Sequence, residues 1–278
     1  MMKKKVFASA LLALSPLAFA QQPAEPERKP PARIDVSQLP QQSKMIDDVV
    51  VPVPSEIFGV LDKLGKVHWT SVQRTGMANV KPIGEQAQIA LELGTIIAEG
   101  FIAVEAEDTA EVKNIGNAVL TLSRALGVQK QVNERAKAIT DAADKKDWAA
   151  VRKELDKTLD SVRDAMVALK SEQLSQLVSL GGWLRGTEAL TKVVSDGYTK
   201  DGAELLHQPM LLDYFERRLA GMKPKIKANP VVTKVQKGIL EIRPLVGIED
   251  GTQISEKTVK DIGSIAEDLV KSINSKAP

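Results

Sequence analysis

The chain has 278 residues, no cysteine, two histidines, and 38 basic against 36 acidic side chains. Lack of cysteine rules out disulfides, cysteine-ligated metals and thiol nucleophiles, and so even a charge balance lacks the concentrated basic surface that nucleic acid requires. The length is enough for a large hydrophobic core without covalent staples.

The opening MMKKKVFASALLALSPLAFA has three lysines, a short apolar run, and Ala18 and Ala20 in an A-x-A arrangement. This pattern predicts an export signal over residues 1–20, with the product periplasmic or extracellular. The run is too short for a membrane span, and no transmembrane segment is expected in the mature chain. Without those twenty residues the charge count becomes 35 basic against 36 acidic. Residues 21–45, rich in Pro, Gln and charge, predict a disordered linker. Residues 46–278 then predict one elongated helical domain, or two intimate subdomains. Its first stretch, IDDVVVPVP, is β-branched but broken by Pro52 and Pro54, and reads as one extended segment rather than a sheet.

Ser55 starts a predicted helix with Ile57, Leu61, Leu64 and His68 on one stripe, ending near Arg74. His68 reads there as a core histidine. After Gly84 comes a Gly/Ala-rich helix running to about Glu107, whose polar strip is Glu85, Gln88, Glu92, Thr95 and Glu99. That strip reads as a solvated face or as the partner of Lys/Arg on an adjacent helix. Asp108 and Glu111 form a capping-box-like start for the next helix, and Gly127 fits its C-terminal cap. A short helix follows through Val132, Ala136 and Ile139. Asp147 caps a long one from Trp148 to Leu169, whose narrow apolar stripe and charged flanks suit the outside of a bundle.

The stretch Leu174 to Leu190, LSQLVSLGGWLRGTEAL, is apolar on two faces and so predicts a central helix covered on two sides, running from Ser171 to about Tyr198. Gly182 and Gly186, four apart, predict close approach of a neighbouring backbone. The segment Leu91 to Ala106 matches it in spacing, with Leu93, Gly94, Ile96 and Ile97 answering Leu180, Gly181, Trp183 and Leu184. Two helices packed deep in one core are the expectation. A brief helix over Lys200 to His207 follows, then one opened by Pro209 and ending near Gly221. Asn229-Pro230 starts another, kinked or ended by Pro244, and Ser255 opens the last. The sum is an all-α fold, an antiparallel bundle or array of eight to ten helices with an extended N-terminal segment.

Candidate sites are few. Trp183, Arg185 and Glu188 on the central helix form the candidate binding group. A solvated position is the favoured reading of the Arg/Glu pair; a buried structural pair or a site for an anionic ligand are the alternatives. His207, with Glu204 one turn earlier, is the candidate acid/base pair. The sequence lacks G-x-S-x-G, H-E-x-x-H, phosphate-loop and dinucleotide patterns, and Glu204-Leu-Leu-His207 is the single Glu-x-x-His, so neither cofactor nor metal is expected.

LELGTIIAEGFIAVEAED and LVSLGGWLRGTEAL resemble stretches of secreted all-helical proteins from bacteria of the Verrucomicrobia and Planctomycetes type. The resemblance covers about half the mature chain, carries over no activity and no functional residue, and implies an envelope or secreted protein. The expected function is interaction or scaffolding without catalysis, with a protein or cell-surface component as partner. An all-helical hydrolase or lyase acting on an extracellular polymer and a small-ligand binder beside Trp183 and Arg185 are the alternatives.

Overall fold

The computed structural model describes residues 67–246 and 252–276 fully and residues 44–46 and 49–51 as backbone. Among these residues the fold is all-α, with eight helices of seven residues or more. The signal expectation, the linker expectation up to residue 43, and the stripe of Ile57, Leu61 and Leu64 lie outside the described residues; Lys44 and Met45, placed in the linker, are strand. The start of the segment read as singly extended instead folds back to pair with the end of the stretch read as linker. Strand β1 (Lys44–Ile46) is antiparallel to β2 (Val49–Val51), with Ile46 opposite Val49.

Helix α1 (Trp69–Val72) is one turn, not the end of a long helix. His68, expected in the core, is exposed and sits at the N-cap with φ −85 and ψ 75. The backbone leaves helical geometry there, so Trp69 and Val72 are the residues that face inward. Then come α2 (Gln86–Glu105), α3 (Thr109–Ala125), α4 (Gln129–Asp144), α5 (Trp148–Ala168) and α6 (Glu172–Asp196). Each runs back along its predecessor, and α5 returns to α2, which closes an up-and-down bundle of four. Helix α6 packs on α2 from the other side.

A second layer consists of α6 with α7 (Lys200–Glu204), α8 (Pro209–Ala220), α9 (Pro224–Lys227), α10 (Pro230–Val246) and α11 (Glu256–Ile273), with α11 against α6 and α10 against α11 and α8. Pro244 does not end α10, which continues to Val246. The proline removes one backbone donor, the one that would have met the carbonyl of Leu240, a residue on the exposed side of the helix.

Helix α2 thus lies between the layers. It is long and apolar enough to cross a membrane, but Ala87 to Val104 are all buried inside the fold, as in a core helix. Contacts rise together along α2 and α6, with Leu91 against Gly181, Gly94 against Val178 and Gly182, and Glu99 against Arg185. The two helices therefore run in the same direction, as three intervening antiparallel helices require. A Cβ on Gly94 would stand 2.0 Å from the Val178 carbonyl oxygen, and one on Gly181 would stand 2.0 Å from that of Leu91. Gly94 and Gly181, matched in the sequence, are the pair that admits the neighbour. Gly186, expected to share that role, has nothing within 4 Å of where its Cβ would be.

Candidate functional site

Burial of α2 on all sides carries its polar strip inside. Gln88, Glu92, Thr95 and Glu99 are all at most 3% exposed, and only Glu85 at the N-terminal end meets solvent. A solvated strip is therefore ruled out for these four. The amphipathic pattern is that of a surface helix, but a second layer of helices covers the polar side as well.

Glu99 has the partner on an adjacent helix that its position requires. Arg185 of α6, 2% exposed and among the largest fully buried side chains, donates from Nε to Glu99 Oε2 at 2.6 Å and from Nη2 to the Val72 carbonyl at 2.7 Å. The Arg74 backbone N–H donates to the other Glu99 oxygen at 2.6 Å. Glu188 accepts from Arg74 Nη2 at 2.6 Å, and its second oxygen lies 3.5 Å from Arg185 Nη1. Lys192, further along the same line of α6, donates to the Ser71 carbonyl.

Arg185 and Glu188 were expected at the rim, but Arg185 is in the core and Glu188 is largely covered. Their role in the structure is to fasten residues 71–74 across α2 and α6. Burial pushes the Glu99 carboxyl up from its ordinary range, with the Arg185 and Arg74 cations pulling against it. Arg74 carried no signal as a site residue in the sequence. Its part depends on where the chain leaves α1, and periodicity cannot show that.

The Glu92 end of the strip differs. Its carboxylate is offered the Ile83 backbone N–H, while Oε2 is buried with no hydrogen-bond partner. Desolvation raises its pKa to about 7, with only the Ile83 bond opposing. On either side of it, Gln88 Nε2 donates to the carbonyls of Ile273 (3.0 Å) and Ser275 (2.8 Å), and Thr95 Oγ1 hydrogen-bonds Asn274 (3.0 Å).

The remaining candidates are separate from this cluster. Half-buried Trp183 donates from Nε1 to Gln208 Oε1 at 3.1 Å and packs on the Phe215 ring, 5.5 Å between centroids. It belongs to the contact of α6 with α8. His207 Nδ1 lies 3.1 Å from Glu204 Oε1 just after α7, with the glutamate about half exposed. The pair therefore exists, and neither residue lines the open groove of about 660 Å³ between the starts of α2 and α6. Among the described residues no three His, Asp or Glu side chains are grouped to hold a metal. Comparison with protein-family models, with curated proteins and with solved structures found no match to this chain.

Proposed function

We propose that this is an exported helical protein that acts by interaction, as an envelope scaffold or as a factor presented to another surface. The signal-like opening supports export, and the resemblance to secreted helical proteins points the same way. The observation that carries the interaction reading is the closure of the central charged cluster on itself. Arg185 donates to Glu99 and to the Val72 carbonyl, Glu99 accepts from Arg185 and Arg74, and Glu188 accepts from Arg74 through one oxygen while its other, without a hydrogen bond, faces Arg185 at 3.5 Å. That chemistry maintains the fold. Recognition then falls to the outer helix faces, where Val167, Leu169, Met210 and Leu240 expose large apolar side chains among charged neighbours.

The test is binding of the signal-free chain to envelope and host-surface fractions, compared with a Met210→Glu, Leu169→Glu variant. Binding that the variant loses while its melting curve is unchanged supports the reading. Turnover of an extracellular glycan or peptide polymer, lost in both His207→Ala and Glu204→Gln, overturns it in favour of a hydrolase or lyase built on that 3.1 Å pair.

A further inference from the structure

Glu92 stands in a polar strip whose other members hold a specific part of the fold. Gln88 and Thr95, one turn to either side, bind the end of α11 through Ile273, Asn274 and Ser275. Ile83, in the segment leading into α2, directs its N–H at Glu92 itself. We infer that Glu92 is a pH-dependent latch: protonated, it lets residues 81–84 and 273–275 close over the start of α2, and ionised, it loosens both.

The physical argument starts from the orphan oxygen. A neutral carboxyl with one unpaired oxygen in the interior carries the cost of an unmade hydrogen bond, whereas a carboxylate there lacks both water and a counter-charge and costs more. The groups around it make this worse. The last carbonyls of α11 carry the negative end of that helix dipole, and they face the same end of α2.

Among the described residues no charged side chain pairs with Glu92: Lys234 of α10 is bonded to Asp268 and Ser272, and Lys225 of α9 is exposed. On α2, Glu85 is exposed and Glu99 is paired with Arg185. On α6, Arg185 and Glu188 are held at the Glu99 end. Lys81 in the preceding segment, and Lys271 and Lys276 at the end of α11, are exposed. A raised pKa of about 7 agrees with this setting. Because the folded value lies above the ordinary 4.5, the stabilisation is complete below pH 4.5 and is lost as pH rises through about 7. The inference is independent of the partner-binding reading and concerns a conformational device within the fold.

Hydrogen exchange of the intact chain and of Glu92→Gln, from pH 5 to pH 8 and corrected for intrinsic rates, tests it. In the native chain the opening of residues 81–85 and 272–276 should rise about tenfold or more over that range, while amides of α3 and α4 keep their protection. Glu92→Gln should stay within about twofold. An equal rise in both proteins overturns the latch, as does opening that follows sodium or potassium concentration instead of pH. Should the variant fail to fold, carbon-13 titration of Glu92 in the native chain decides. A midpoint near 7 supports the latch, and one near the ordinary 4.5 rejects it.

Discussion

Glu92 and Glu99 sit seven residues apart on one face of the same helix, both at most 3% exposed and both pushed up by burial, and the fold gives them different partners to set against that push. Glu99 meets a guanidinium and a backbone N–H, whereas Glu92 meets one backbone N–H and has an oxygen left over. The helix that carries them does not decide this. The second layer does, since α6 projects Arg185 toward Glu99, whereas the end of α11 meets Gln88 and Thr95 on either side of Glu92 with carbonyls and an amide oxygen and brings Glu92 no cation. A buried carboxylate is stable as an anion only where a neighbouring element supplies a cation, and burial alone turns it into a titrating group.

The comparison breaks most severely at Arg185. Arg185→Met leaves Glu99 buried without its cation and should cost about 3–5 kcal/mol in denaturant unfolding. Glu99 then becomes a second Glu92, so the loss should be smaller at pH 5 than at pH 8, and adding Glu99→Gln should recover part of it. A loss independent of pH would show that Arg185 contributes by packing and not by charge. Gly181→Ala comes next. Its Cβ would meet the Leu91 carbonyl oxygen at 2.0 Å, so α2 and α6 must separate, at a cost of about 3 kcal/mol. Gly186→Ala is the control. With nothing within 4 Å it should stabilise by about 0.5–1 kcal/mol through helix propensity.

A smaller effect sharpens the contrast. Glu92→Gln should leave stability unchanged near pH 4.5, where the native carboxyl is already neutral, and raise it by about 1–3 kcal/mol at pH 8. Denaturant midpoints at the two pH values measure this. Equal gains at both would mean that the glutamine amide finds new partners, and that ionisation has no part.

Much of the fold was legible because its signals are local. The stripes of α3 and α5, Asp108 and Asp147 as N-caps, and the doubly apolar character of α6 all lie within one or two turns of sequence. The candidate site was less so. Glu99, Arg185 and Glu188 could be singled out as unusual, but their burial follows from a second layer of helices covering the polar side of α2. That layer is a long-range fact, and no window on α2 contains it. Arg74 was missed for the same reason, and His68 was misread because a helix stripe extrapolated through it cannot reveal that the backbone turns there.

The links between helices show what sequence reading detects and what it overlooks, and they supply the smallest predicted effect. Four consecutive connections from α2 to α6 share one design. Residues 107, 127, 146 and 170 are left-handed, with φ of 54, 77, 56 and 54. Their N–H groups bond back three residues, to Val104, Arg124, Ala143 and Val167. The following residues, Asp108, Val128, Asp147 and Ser171, bond back five, to Ala103, Ser123, Ala142 and Met166. This double closure is the Schellman motif, whose left-handed position favours glycine because a side chain there is strained. Only Gly127 advertises the motif. Glu107, Lys146 and Lys170 adopt the same geometry because the hydrogen bonds and the packing of the antiparallel helices impose it, at a cost of about 1 kcal/mol each. Lys146→Gly should therefore stabilise by about 0.5–1 kcal/mol, and Gly127→Ala should destabilise by a similar amount. Opposite signs in the denaturant midpoints of the two variants would establish that the four turns are one structural device written in two sequence dialects. A neutral Lys146→Gly would mean that the flexibility glycine adds to the unfolded chain cancels the relief of strain.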